Sequence, residues 1–472
     1  MTTIQKSAFY IFVSLLLIFV YPLDLYFPSG NQCIYFFWGI KDTGFGFLEN
    51  DFLATQPDPF PLFSLLVTCS SKLFGNHIFL FWYWLMNLIY VVAFFELMDE
   101  MRRAARWQTP SPLGRVGEVF LFLFFNSTLI WGFFFSHFFN LDLRWAWDSG
   151  FAEQGILRGY FQPSVFGVFI LLSVALFVKR KFLLAFVSAS ISACFHANYL
   201  LVSAVFIGVY LLVLLKEKNY KVAVAGSLIS LLIVLPYLIY TYRNFGSSSP
   251  ETVDYIRNHI KGHIHFDYHV WVNTEALLQF MLITCSLWLM RKTVLFIPLL
   301  TTFVILVALS LLTYISGSIF LLNLTPWRIS VVLVPVSVAI VTLFISQSNN
   351  RLIKNFIFAF VLTSIVSAIW FRIFGNNSAE YIFYWRVFTL VVFIVLLLIQ
   401  VFAVKYFNVN SLSNVKSAVA VLLLFLLGLS GIFIHAKDRT SEDELIKYVM
   451  ENRKAKPKII KNVNNICNIF IF

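Results

Sequence analysis

Long apolar runs separated by short polar segments dominate this chain. A helix that crosses a bilayer needs about 20 mostly apolar residues. About thirteen runs approach that length, at 7–27, 77–98, 118–137, 163–178, 182–197, 199–215, 222–242, 274–290, 294–315, 329–346, 356–374, 382–402 and 417–435. The pattern predicts an all-α polytopic membrane protein with about 13 transmembrane helices in residues 1–435, followed by a tail at 436–472.

One apolar segment, residues 60–74, does not fit a crossing helix. It is too short to span a bilayer comfortably, and Pro59 and Pro61 stand at its start, where a helix tolerates proline. Lys72 and the serines beside it give the segment a polar face. We therefore expect an interfacial helix within the first outer loop, 28–76.

Composition and charge agree with a membrane protein and set its orientation. Hydrophobic residues make up 60% of the chain and charged residues only 12%, too few to cover a soluble globule of this size. The net charge of +12 is concentrated in the loops that lie on the same side of the membrane as the N-terminus, as the positive-inside bias requires. This predicts a cytoplasmic N-terminus and an extracytoplasmic C-terminus, and it removes the reason to expect a nucleic-acid partner.

The first outer loop holds the acidic string FLENDFLATQPDPFPLF, in which Glu49 and Asp51 lie two residues apart. Two carboxylates beside a membrane surface can act as a general base or bind a metal. A solvated loop with turn-forming Asn and Asp explains the same string. Both interpretations stay open at this point.

The second outer loop, 138–164, alternates acidic, basic and aromatic residues. Asp148, Glu153 and Arg158 stand among Trp145, Trp147 and other aromatic residues. An aromatic belt at the membrane interface would have this composition. A cavity lining that holds a charged substrate would have it too.

The fourth outer loop, 243–273, is rich in histidine. It holds half of the eight histidines, His259, His263, His265 and His269. His259 and His263 have the i, i+4 spacing that places two side chains on one helix face, so with Asp267 they could bind a divalent metal ion. The alternative is a polar loop whose histidines bind substrate by hydrogen bonds.

Three further candidates lie at the outer ends of predicted spans: Arg328, Arg386 and His196. An arginine at the edge of the hydrocarbon is costly unless it extends to water or pairs with an anion. A planar guanidinium is well suited to binding the phosphate of a lipid. His196, in FHANYLL, is either a hydrogen-bonded core histidine or a substrate ligand.

The order of these features resembles the polyprenyl-phosphate-dependent membrane glycosyltransferases of the GT-C fold. The resemblance lies in the acidic loop after the first span and in the stretch PDPFPLFSLLVTCSSKLFGNHIFLFWYWLMNLIY. The stretches GYFQPSVFGVFILLS, FHANYLL, HIHFDYHVW and LTPWRISVV are similar to an uncharacterised bacterial branch of that superfamily. The tail SEDELIKYVMENRKAKPKII resembles the start of that branch's outer domain, so a truncated outer domain is expected at 436–472.

The resemblance implies sugar transfer at the outer face of a bacterial inner membrane, from a polyprenyl-phosphate donor. Glu49 or Asp51 would then act as the base or bind the acceptor. Asp148 and Glu153 would hold the sugar or a divalent metal, and Arg328 or Arg386 would neutralise the lipid phosphate. No cofactor is indicated with certainty.

Two other function classes fit the same layout. A polymerase or ligase of surface polysaccharide also uses Arg and His in outer loops on lipid-linked glycans. A transporter that uses the histidines would instead place charged residues near the middle of its spans, where few are found. The chain has no P-loop or GxGxxG motif, which argues against a nucleotide-driven pump within it.

Overall fold

The architecture is a bundle of helices, seen in a computed structural model. The structure describes residues 2–20, 31–41, 43, 56–105, 114–127, 131, 135–136, 141, 143–157, 159–245, 273–316, 318–348 and 389. The predicted spans at 356–374, 382–402 (save Thr389) and 417–435, and the tail 436–472, lie outside the described residues.

The helices follow the apolar runs closely. They are α1 (Thr3–Val20), α2 (Gln32–Tyr35), α3 (Phe37–Lys41), α4 (Pro61–Phe74), α5 (Ile78–Ala104), α6 (Gly114–Phe125), α7 (Val168–Val178), α8 (Phe182–Phe195), α9 (Tyr199–Lys216), α10 (Tyr220–Phe245), α11 (Thr274–Met290), α12 (Phe296–Ser316), α13 (Ile319–Leu324) and α14 (Ser330–Gln347). A hairpin of two-residue strands, β1 (Ser149–Gly150) and β2 (Gln154–Gly155), joins antiparallel across a 3₁₀ turn. The 3₁₀ turns Pro163–Gly167 and Pro326–Ile329 precede α7 and α14.

Within the described residues, five helical stretches are long and apolar enough to cross a membrane. They are Ile78–Ala104, Tyr199–Lys216, Tyr220–Phe245, Phe296–Ser316 and Phe320–Gln347. Shorter apolar helices pack between them, and α14 and the second half of α5 are almost completely buried. The chain is therefore a mostly helical integral membrane protein, as the composition predicted.

The two ends of the bundle differ in chemistry. At one end, the Lys6 end, Glu96 binds Lys6 at 2.5 Å and Lys179, and Arg102 and Glu118 form a second ion pair. At the other end, the His196 end, His196, Phe60 and Arg328 meet. The charge pattern placed Lys6, Arg102 and Lys179 on one side of the membrane, and the three meet at the Lys6 end.

A helix, α4, forms over Pro61–Phe74 as expected, and its interfacial position stays a prediction. Phe60, at its N-terminus, packs on His196, and Ser71, near its C-terminus, bonds Asn76 just before α5. A 14-residue helix extends about 21 Å, which is shorter than the roughly 30 Å hydrocarbon core of a bilayer.

The third predicted span differs from the expectation of one helix over 118–137. Helix α6 begins at Gly114 and ends at Phe125, and the described residues that follow it directly form a turn. The Asn126 side chain donates to the Phe122 carbonyl and accepts from Tyr90, while the Trp131 indole donates to the Phe124 carbonyl. Trp131 and residues 135–136 are helical again, so the described residues show a break at 126–127 within the predicted span, where side chains bond the last carbonyls of α6.

Candidate functional site

Arg328 lies at the centre of the polar cluster at the His196 end. The 3₁₀ turn Pro326–Ile329 carries it, and Pro326 occupies the first position, where a proline ring presets the helical φ. Thr325 precedes the turn in the left-handed region, with φ of 43°, and its N–H bonds the Leu322 carbonyl at the end of α13. This sharp reversal directs Arg328 into the protein, where only 7% of it is exposed.

His196 faces Arg328 from another helix. It ends α8 in an extended conformation and is 3% exposed. Its Nε2 lies 3.4 Å from Nη1 of Arg328, and its Nδ1 accepts a hydrogen bond from the Asn198 N–H at 3.2 Å. The amide orientation of Asn198 that satisfies its neighbours directs Oδ1 to both terminal nitrogens of Arg328, at 3.3 and 3.1 Å.

This geometry brings two donors together. The hydrogen bond that Nδ1 of His196 accepts favours the neutral tautomer with its proton on Nε2, the nitrogen that faces Arg328. A guanidinium N–H and an imidazole N–H then lie side by side, and an oxygen of an anion can accept from both. Charge-assisted bonds from a guanidinium to carboxylate or phosphate oxygens are among the strongest in proteins.

A short segment of the first outer loop, residues 56–60, lies over this cluster, and we call it the strap. Phe60 packs edge-on against the His196 ring, with ring centroids 5.2 Å apart. The Gln56 carbonyl accepts from the Trp38 indole at 3.1 Å. Tyr240 donates to the Asp58 carbonyl at 2.9 Å and Tyr237 to the Pro59 carbonyl at 3.1 Å.

The composition of the strap explains this anchoring. Pro57 and Pro59 have no backbone N–H, so the segment cannot complete a regular hydrogen-bond ladder. Side chains from α3 and α10 satisfy its carbonyls instead. The tyrosines of α10 thereby hold part of the acidic first loop against the Arg328–His196 pair.

The second outer loop reaches the same cluster through the hairpin β1–β2. Ser330 Oγ accepts from the Phe151 N–H at 2.7 Å and donates to the Trp327 carbonyl, next to Arg328. Ala152 and Glu153 have positive φ angles of 58° and 56°, uncommon for residues other than glycine. Strained backbone of this kind persists only where the surroundings hold it, and here the hairpin is clamped against α14.

Two buried carboxylates flank the hairpin. Asp148 is 7% exposed and precedes β1 directly, and Glu275, in the first turn of α11, is 6% exposed. Glu275 Oε1 accepts from the Trp145 N–H at 2.9 Å, and Gln279 donates to the Trp145 carbonyl at 2.9 Å. Glu153 is only half-buried. The acidic residues of this loop therefore lie at the same end of the bundle as Arg328.

The structure brings together some of the predicted site residues and does not describe the others. His196 and Arg328 are in contact, and Asp148 and Glu153 belong to the loop that is bonded beside Arg328 through Ser330. The remaining candidates lie outside the described residues: Glu49, Asp51, Arg158, His259, His263, His265, His269 and Arg386. Within the described part of the chain, no group of three or more His, Cys, Asp and Glu residues could hold a metal ion. The expected divalent metal stays a prediction.

Sequence reasoning missed several residues of the cluster. Asn198 and Ser330 lie within FHANYLL and LTPWRISVV, the stretches that carry the family resemblance, so position in those stretches was a usable signal. Tyr237 and Tyr240 lie in the apolar run of α10, where nothing in the local pattern indicates a polar role. Comparisons with protein-family models, with curated proteins and with solved structures find no match to the chain.

Proposed function

We propose that the chain is a membrane glycosyltransferase that moves a sugar from a polyprenyl-phosphate donor to an acceptor. The observation that carries the proposal is the buried guanidinium of Arg328 beside His196 and Asn198, at the end of an apolar bundle. A lipid-linked phosphate is an anion whose polyprenyl chain lies in the hydrocarbon, so the phosphate reaches the protein at the membrane surface. It requires such a donor set at the membrane edge.

The reaction assigns a separate task to each part of the cluster. The bond between the sugar C1 and the phosphate oxygen breaks, and the polyprenyl phosphate leaves with a negative charge that Arg328 neutralises. A new bond forms between C1 and an acceptor hydroxyl oxygen. The proton of that hydroxyl passes to Glu49 or Asp51 in the first outer loop. Asp148 and Glu153 bind sugar hydroxyls.

The strap supports this assignment. Residues 56–60 follow Glu49 and Asp51 along the chain, and Phe60 rests on the His196 ring. Tyr237 and Tyr240 fasten the strap to α10. The described end of the first outer loop is therefore held at the Arg328–His196 pair. This favours a single active site that the loop and the pair form together.

Reconstitution of the full chain in proteoliposomes tests the proposal. The probes are polyprenyl phosphates that carry a radiolabelled hexose or pentose, with a bacterial envelope fraction as acceptor. We expect transfer of label by the wild type and its loss in Glu49→Gln or Asp51→Asn, with Glu217→Gln, an exposed carboxylate at the Lys6 end, as the control. Transfer of whole oligosaccharides instead of single sugars would favour the polymerase or ligase, and absence of any transfer would overturn the proposal.

We also propose that the chain lies in the bacterial plasma membrane with its N-terminus in the cytoplasm and its His196 end outside. In a cysteine-free background, Lys72→Cys on α4 and Lys218→Cys after α9 place one thiol at each end. A membrane-impermeant maleimide added to intact cells should label the Lys72→Cys variant. It should label the Lys218→Cys variant only after permeabilisation, and the reverse result would invert the orientation.

A further inference from the structure

Two turns at the Lys6 end have the same unusual backbone. Helix α7 is followed by Lys179, Arg180 and Lys181, and Arg180 takes a φ of 60°. Helix α9 is followed by a turn in which Lys218 takes a φ of 58°. In each turn two backbone N–H groups return to the last helical carbonyls: Arg180 to Phe177 and Lys181 to Leu176, and Lys218 to Leu215 and Asn219 to Leu214.

The residue types in these turns are not those that the backbone favours. The left-handed position after a helix is most often glycine, because a side chain there costs roughly 1 kcal/mol or more. Here an arginine and a lysine occupy it. Strained backbone positions of this kind are found at functional sites. The basic side chains at these two positions therefore indicate a functional role.

The charges of the two turns are poorly compensated. Arg180 bonds Glu217 at 3.2 Å, which ties one turn to the other. Lys181, Lys216, Lys218 and Lys221 are all exposed, and none makes an ion pair in the part of the chain that the structure describes. By contrast, Lys6 and Lys179, at the same end, both bind Glu96.

An apolar stripe on α10 begins at these lysines. Tyr220, Val224 and Leu228, spaced by one helical turn, are 57%, 59% and 55% exposed. Leu231 and Leu235 continue the stripe toward the His196 end. Helix α10 is the least buried of the candidate membrane spans in the described part of the chain. Lysine ammonium groups that make no ion pair among the described residues therefore stand at the start of an exposed apolar surface on α10.

We propose that Lys181, Lys218 and Lys221 bind the phosphate headgroup of an anionic phospholipid, whose acyl chains lie along the α10 stripe. Each basic side chain near an anionic membrane surface attracts its headgroups, and clusters between helices select such lipids. The stripe matches the chains in polarity and direction, and the lysines match the headgroup in charge. This site lies at the opposite end of the bundle from Arg328 and does not depend on the proposed function.

Lipid retention by the purified full chain tests the proposal. The protein in detergent is mixed with phosphatidylglycerol and phosphatidylcholine of identical acyl chains, and bound lipid is counted by native mass spectrometry. We expect the wild type to retain phosphatidylglycerol and Lys218→Gln/Lys221→Gln to weaken that retention about tenfold, since each lysine contributes to headgroup attraction. Salt at about 0.5 M shortens the electrostatic screening length and should weaken retention of phosphatidylglycerol by the wild type as well.

Two control variants separate binding from folding. Arg291→Gln/Lys292→Gln removes two exposed charges from another turn at the same end, where Arg291 lies over the Trp288 ring at 4.1 Å, and should leave retention unchanged. Lys218→Gly relieves the left-handed backbone, so its unfolding temperature should not fall although lipid retention does. Equal retention of both lipids by the wild type, or equal loss in the Arg291/Lys292 variant, would overturn the proposal.

Discussion

The Nη1 atom of Arg328 lies 3.4 Å from Nε2 of His196, although 132 residues separate the two in sequence. One residue comes from the turn before α14 and the other from the end of α8. Both side chains are buried, and Asn198 binds the same guanidinium. The pair therefore forms a donor site at the end of an apolar bundle. Its consequences can be measured one residue at a time.

The first prediction concerns the shape of the Arg328 side chain. Lysine keeps the charge but lacks the planar fork, so Arg328→Lys should lose the paired bonds to Asn198 and to an incoming phosphate. We expect transfer activity to fall about 10- to 100-fold, the equivalent of one or two charge-assisted hydrogen bonds. The assay is the proteoliposome transfer reaction. Arg291→Lys, on the far end of the bundle, is the matched control, and full activity of Arg328→Lys would contradict the role.

The second prediction concerns the anchoring of the strap. Tyr237→Phe and Tyr240→Phe each remove one hydrogen bond to a strap carbonyl, at a cost of about 1 kcal/mol. If the strap positions the first loop, the double variant should lower the maximal transfer rate by more than its loss of folded protein at the assay temperature explains. The unfolding temperature measures that loss. Tyr242→Phe, on the same helix but 77% exposed, should change neither. A double variant with unchanged kinetics would show that the strap has no positioning role.

The third prediction concerns Glu96 at the Lys6 end. This carboxylate accepts from Tyr10 at 2.7 Å and binds both Lys6 and Lys179, so it joins α1, α5 and the end of α7. Glu96→Gln would remove the carboxylate that lies between two ammonium groups, and Lys6 would keep, among the described residues, only Asp99, 4.0 Å away, as a counter-charge. We expect a loss of about 2–4 kcal/mol in the free energy of unfolding, as for other buried ion pairs that lose one partner.

The measurement for Glu96 is thermal unfolding in detergent at low and high salt. Glu217→Gln serves as the comparison, because its ion pair with Arg180 is exposed and should contribute less than about 1 kcal/mol. If the two substitutions lower the stability equally, the ion pairs of Glu96 stabilise the fold no more than an exposed ion pair does.

The fourth prediction concerns the contact between the hairpin and α14. A Cβ added at Gly150 would lie 2.5 Å from the Val331 backbone nitrogen, and backbone atoms cannot move aside. Gly150→Ala should therefore push the hairpin off α14, with a loss of about 1–3 kcal/mol in stability and reduced transfer. Gly208→Ala is the control, since its Cβ meets nothing within 4 Å, and replacing a mid-helix glycine should stabilise α9 by about 0.5–1 kcal/mol.

The sequence by itself determined where the described helices lie along the chain. The apolar run 274–290 became α11 with the same bounds, and the short proline-led run 60–74 became helix α4. These results follow because length, apolar content and proline position act locally along the chain. The early end of α6 was missed because Asn126 and Trp131 act through side-chain bonds that hydropathy does not register.

Only the tertiary structure decided which polar residues meet. Arg328 and His196 were both candidates from the sequence, but each stood alone at the end of a separate run. Their contact, the approach of Phe60 and the role of Tyr240 depend on which helices pack side by side. In an apolar bundle nearly every helix face is compatible with many neighbours, so local pattern does not select the partners. Interlocking side-chain packing and the pairing of the few buried polar groups select them.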